Sequence, residues 1–131
     1  MGPHYATCSW TPSSGYLART PYGEIKMYGD GGHRAVEVMM LAAASCLDAV
    51  LVAYVTERNL SVTGIHVTCD AEISQNPIRV SAIKTLVKVE GGLSNKEIHK
   101  MATMCERACK VMNTFKNRPR VEVAIEPLTT E

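Results

Sequence analysis

An α+β fold is predicted for this chain by three observations on its 131 residues. Runs that alternate apolar and polar residues occupy the start, the middle and the far end. Two stretches of helical length and helical periodicity separate them, and turn-forming residues stand at most changes of period. With 46% apolar residues the chain has ample material for one packed core, so residues 1–131 are read as a single domain.

The opening is antiparallel. Strands are expected over His4–Thr11, Tyr16–Thr20 and Glu24–Tyr28, with a turn at Pro12-Ser13-Ser14-Gly15. Asp30-Gly31-Gly32 ends that region, and a helix follows from about Val36 to Arg58, with Asn59 as its stop. Val38 to Val55 is apolar except at Ser45 and Asp48. The central Asp48 and the many alanines argue against a membrane span and for a helix buried on nearly every side.

The next strand is legible in its alternation. Ile65, Val67, Cys69, Ala71 and Ile73 share one face, and His66, Thr68, Asp70 and Glu72 share the other. After Asn76-Pro77, Ile78, Val80 and Ala82 keep one phase while Ile83, Thr85, Val87 and Val89 keep the opposite one, so a bulge is expected near Ala82. Gly91-Gly92 breaks the strand. Ser94-Asn95-Lys96-Glu97 is a capping box that starts a second helix, whose stripe runs through Ile98, Met101, Ala102, Cys105, Ala108, Cys109, Met112 and Phe115. Pro119 closes it, and Val121, Val123 and Ile125 alternate in an expected final strand.

Charge excludes several classes of partner. Fourteen Lys+Arg against thirteen Asp+Glu leave no net field for nucleic acid, anionic membrane or acidic substrate, and no basic run is present. The beginning, Met1-Gly2-Pro3-His4-Tyr5, has neither the basic nor the apolar part of a signal peptide, so a cytoplasmic location with reduced thiols is expected.

Five cysteines without a Cys-x-x-Cys pair fit neither a disulfide scaffold nor a zinc ribbon, and no metal or cofactor is expected. Cys8 and Cys69, each inside a strand, read as small hydrophobes. Cys46 and Cys109 each lie in an apolar helix stripe, and the two helices, if packed face to face, could bring their sulfurs within disulfide reach, a contact that periodicity leaves open beside two inert core thiols. Cys105 shares a helical face with Cys109, which leaves it open as core or as a backup partner. Histidines 66 and 99 make a weak metal set with these thiols.

The segment Glu37-Val38-Met39-Met40-Leu41-Ala42-Ala43-Ala44-Ser45-Cys46 resembles the signature of the OsmC/Ohr family, the osmotically inducible and organic-hydroperoxide-resistance proteins. Cys109-Lys110-Val111-Met112-Asn113-Thr114-Phe115 resembles the family's second motif, C-P-V-S-x-T-L, and here too an alternating strand follows. The resemblance extends over nearly the whole chain.

It implies bent antiparallel sheets wrapping two central helices in an intertwined homodimer. It further implies a peroxidase that reduces organic hydroperoxides, with Cys46 peroxidatic, Cys109 resolving, and a thiol reductant to reset the disulfide. A mid-helix cysteine stands far from its own helix's N-terminus, so a cation is expected to lower its pKa. By the resemblance this is Arg19, with Arg34 second, and Glu37 is the candidate to orient it. The peroxidase branch carries that acid one position earlier, at Val36 here. Lys110 stands in place of the family's proline. The rival reading keeps the fold but makes the protein a binder of lipophilic small molecules or a redox sensor.

Overall fold

The computed structural model describes residues 4–128. The expected beginning of the chain, Met1 to Pro3, lies outside the described residues. The elements follow the order β1 (Thr7–Thr11), β2 (Gly15–Thr20), β3 (Gly23–Ile25), α1 (Ala35–Glu57), β4 (Val62–Ser74), β5 (Arg79–Gly91), α2 (Asn95–Ala108) and α3 (Lys110–Lys116). This is the α+β order expected, with three helices instead of two and no final strand among the described residues.

The chain divides into two compact units, one of Met1–Ser45 with His66–Lys88, the other of Cys46–Ile65 with Val89–Glu131. In the first, β1, β2 and β3 form an antiparallel meander in which Trp10 pairs with Tyr16 and Arg19 with Glu24. The Ser14 amide donates to Thr11 Oγ1 at 3.1 Å, which closes the turn that the Pro-Ser-Ser-Gly sequence calls for. The third strand is shorter than expected, since Tyr28 adopts a positive φ of 56° and leaves the extended region.

β4 and β5 pair as a two-stranded sheet. Along β4 the residues Ile65, Val67, Cys69 and Ala71 are half-buried and their neighbours exposed, as the alternation requires, but Ile73 is 50% exposed. On β5 the consecutive Ala82 and Ile83 are both half-buried, so the phase changes where the sequence changes it. Gly91 ends the strand at φ +144°, and a Cβ there would collide with the Ser61 carbonyl, a position only glycine fills.

α1 stops as Asn59 predicts. That residue takes φ 51°, its amide donates to Thr56 O, and the Leu60 amide donates to Val55 O at 3.0 Å, the paired bonds of a Schellman cap. The capping box of α2 is complete: the Glu97 amide donates to Ser94 Oγ at 3.2 Å and the Ser94 amide to Glu97 Oε1 at 3.1 Å.

Two expectations are corrected. First, α1 is not buried on nearly every side. Met40, Ala43, Leu47 and Leu51, three or four residues apart, make the one buried stripe, while Leu41 and Val52 on other faces are 62% and 48% exposed. One chain has too few elements to cover the rest. Second, Val121, Val123 and Ile125 form no strand and are 76%, 81% and 92% exposed. Alternation buries one face only when a neighbouring strand supplies hydrogen bonds, and no described residue does so here.

Candidate functional site

The second unit holds the thiols that the sequence singled out. Leu47, Leu51, Met101, Cys105, Cys109 and Met112 are its buried side chains, all at most 7% exposed, and Cys46 beside them is half-buried. The expected continuous second helix is broken at Cys109, whose φ of −79° and ψ of 114° are extended. Cys109 therefore ends α2 and caps α3. Its amide donates to Glu106 O, three residues back, and its carbonyl accepts from the Asn113 amide at 3.0 Å. The Asn113 side chain donates to Arg107 O at 2.9 Å, which satisfies one of the carbonyls left free at the end of α2.

The break changes the electrostatics of Cys46. The first amides of any helix have no partner within it, and those of Val111 and Lys110 in the first turn of α3 are turned toward the Cys46 sulfur. Burial by itself raises the Cys46 pKa. The Val111 amide, the Cys109 thiol, the Lys110 amide and the Lys110 charge outweigh it, and the net effect is a lowered pKa.

Cys109 moves the other way. Burial raises its pKa most, and the proximity of Cys46, which accepts its proton in a hydrogen bond and repels a second negative charge, raises it further. The pair titrates as a unit, with the thiolate on Cys46 and the shared proton on Cys109. Cys105, 2% exposed, is pushed up by burial, which the Arg58 charge only partly offsets. Its thiol is directed at Val50 O at 3.9 Å.

Cys46 is far from the N-terminus of its own helix, as expected, but the first amides of α3 act on it ahead of the expected cation. The family's second motif carried the missing signal. Its proline, at the place of Lys110, is the residue type favoured at the first position of a helix, where its absent N–H costs nothing. A proline directly after the cysteine marks a new helix there.

The charged candidates lie in the other unit. Arg19 is on β2, opposite Glu24. Arg34 Nε donates to Glu37 Oε1 at 2.8 Å, with both side chains more than half exposed, so Glu37 engages the second-choice arginine. In that unit Val36, Met40, Leu41 and Ala44 of α1 and Val67, Cys69 and Ala71 of β4 line a wide cleft of about 650 Å³, with His66 and Asp70 among its walls. Cys69 Sγ lies 3.4 Å from Thr85 Oγ1. Among the described residues no group of three or more His, Cys, Asp or Glu is arranged to hold a metal.

The model of the OsmC-like protein family matches residues 28–124, which takes in both helix cysteines and their motifs. The chain belongs to the OsmC family. Solved structures agree in fold. An OsmC-like protein from Mycoplasma pneumoniae superposes with a TM-score of 0.76 at 14% identity, covering 88% of each chain. A hypothetical protein from Aquifex aeolicus gives 0.75 at 17% identity, covering 90% of each. The organic hydroperoxide resistance protein OhrB of Bacillus subtilis gives 0.64 at 12% identity, covering 88% of this chain and 91% of that one. No curated protein matches the sequence. In this OsmC family member Arg19 lies outside the matched segment, whereas Arg34 and Glu37 lie within it.

Proposed function

We propose that this OsmC family protein is a thiol peroxidase that reduces organic hydroperoxides, with Cys46 as the peroxidatic and Cys109 as the resolving cysteine. The observation that carries the reading is the asymmetry of the pair: amides and a lysine favour the thiolate on Cys46, while the buried Cys109 keeps its proton and donates it. Two inert core thiols would both be pushed up by burial.

The chemistry follows from that asymmetry. The Cys46 thiolate attacks the outer peroxide oxygen, the O–O bond breaks, and the alcohol leaves as it takes up a proton. Cys46 is left as a sulfenic acid. Cys109 attacks that sulfur, water departs with the Cys109 proton, and a Cys46–Cys109 disulfide forms before further oxidation. A cytoplasmic thiol reductant then returns both cysteines to the reduced state. The similarity in fold to a protein named for organic hydroperoxide resistance agrees with this substrate class. Within the second unit, Lys110 is the positive charge that acts on Cys46.

The working form is a homodimer built from one domain per chain. Only 22% of the most apolar window of α1 is buried within one chain. Asp48 Oδ1 is buried without a hydrogen-bond partner among the described residues, a condition that costs about 1–3 kcal/mol and that a donor from a second copy would relieve.

The test is a single-turnover reaction of the reduced protein with cumene hydroperoxide and with linoleic hydroperoxide, read as loss of free thiol. Both should oxidise Cys46 faster than hydrogen peroxide does. Peroxide consumption undiminished in Cys46→Ser would end the assignment.

A further inference from the structure

Two pairs of residues face each other in step where α1 and α2 meet in the second unit. Cys46 is in hydrogen-bonding reach of Cys109, and Val50, four residues further along α1, has its carbonyl 3.9 Å from the Cys105 thiol, four residues earlier on α2. Three sulfurs thus line one seam. Cys109 faces Cys46 across the seam, and Cys105 precedes Cys109 by four residues, on the last turns of α2.

We propose that Cys105 is a third redox thiol that takes over the oxidation from Cys46, by attacking Cys109 within the Cys46–Cys109 disulfide. This rests on the proposed peroxidase reading for its oxidant, the organic hydroperoxide. Cys105 gives its proton to solvent and its sulfur bonds to Cys109. The Cys46–Cys109 bond breaks, and its electron pair leaves on Cys46 as the thiolate. One disulfide replaces another, so no further oxidant or reductant is consumed.

The geometry favours Cys109 over Cys46 as the sulfur attacked. Residues four apart on a helix have Cβ atoms about 5–6 Å apart, against about 3.8 Å in a disulfide, so one partner must shift. Cys46 is fixed in the middle of a continuous helix. Cys109 has already left helical geometry, and its amide bonds to Glu106 rather than to Cys105. The leaving group agrees, because the sulfur with the lowered pKa is the one released.

The consequence is functional. Cys105 and Cys109 are 2% and 0% exposed, so their disulfide is shielded from a reductant, whereas the half-buried Cys46 is again free to meet a second peroxide. One chain would take up two equivalents of hydroperoxide before it needs reduction. The protein then records its first encounter with oxidant in its core.

The exchange can be tested separately from peroxidase activity. Reduced protein is treated with one equivalent of diamide, which makes a disulfide without any peroxide chemistry. Samples are quenched in acid over milliseconds to minutes, alkylated, and their disulfides mapped by mass spectrometry. A Cys46–Cys109 species that gives way to Cys105–Cys109, with Cys46 becoming alkylatable, is the expected result. Persistence of Cys46–Cys109 with Cys105 alkylated throughout overturns the proposal. So does Cys105–Cys109 forming in Cys46→Ser as fast as in the unaltered chain, since no exchange would then be needed.

A hydroperoxide titration supplies the second readout, with two equivalents consumed per chain falling to one in Cys105→Ala. One equivalent consumed by both proteins overturns the relay. Exchange after diamide combined with inertness to hydroperoxides would sink the peroxidase reading and leave the relay standing.

Discussion

Replacing Cys109 by alanine and by serine separates two duties that this residue would perform. Both substitutions remove the resolving thiol, but serine retains a donor for the Cys46 thiolate and alanine does not. A hydrogen bond to a charged acceptor contributes about 1.5–3 kcal/mol net, and 1.4 kcal/mol is a factor of ten. Cys109→Ala should therefore lower the thiolate fraction of Cys46, at pH values below its pKa, by about ten- to a hundredfold. A more basic thiolate is also a better nucleophile, with a Brønsted slope of about 0.4–0.5, which returns roughly half of that loss on a logarithmic scale. The net expectation is a fall of about three- to tenfold in the alkylation rate of Cys46, with the rate profile displaced to higher pH. Cys109→Ser should stay within a factor of about two to three of the unaltered protein. The assay is iodoacetamide alkylation from pH 5 to 10, followed on the Cys46 peptide by mass spectrometry. Superimposable rate profiles across that pH range for the alanine variant and the unaltered protein would refute the donation from Cys109.

Three further outcomes are expected. The opposite shifts of the thiols give stability a maximum in pH: it rises toward the ordinary thiol value, as the lowered Cys46 pKa requires, and falls above it, where Cys109 and Cys105 hold their protons in the folded state but not the unfolded one. Urea midpoints measured across pH 7–11 under reducing conditions check this, and a monotonic rise would contradict it. Ser94→Ala removes the cap of α2 and should cost about 1 kcal/mol, a fall in Tm of about 2–8 °C by calorimetry, with Ser94→Asp close to neutral. Sedimentation at micromolar concentration should show a dimer, whose interface should exceed about 2,000 Å² as obligate dimers do; a folded monomer would contradict the role given to the open faces of α1.

What the sequence made legible was whatever depends on neighbours close along the chain. The capping box at Ser94 and Glu97, the glycine stop at Gly91, the Asn59 cap and the alternation of β4 as far as Ala71 are each decided within a few residues, and all stand where they were read. The misreadings have two different causes. The Val121, Val123 and Ile125 pattern is a strand pattern without a neighbouring strand among the described residues, and the stripe through Cys105, Cys109 and Met112 is unbroken as a pattern although the backbone breaks at Cys109. Helical periodicity cannot register such a break, because Asn113 and Glu106 stabilise it without proline or glycine. The candidate site shows the same division. Cys46 and Cys109 were legible as two thiols on apolar helix stripes, paired only by the resemblance, but the amides of Val111 and Lys110 that act on Cys46 belong to the backbone, on which side-chain patterns are silent. The engagement of Arg34 with Glu37 was open to a reader of spacing, since three residues separate them at the start of a helix.

The apolar character of α1 also has a consequence during synthesis. The helix leaves the ribosome before β4, β5 and α2, and the Leu47 and Leu51 stripe has no cover until α2 has been made. Roughly fifty residues separate the ends of the two helices, which at about 5–20 residues per second leaves the stretch bare for several seconds. A 23-residue segment long and apolar enough to cross a bilayer is then on offer to any factor that recognises such segments. Asp48, near the middle of that segment, makes insertion costly, so the side chain whose Oδ1 has no partner among the described residues also weighs against insertion of the nascent chain.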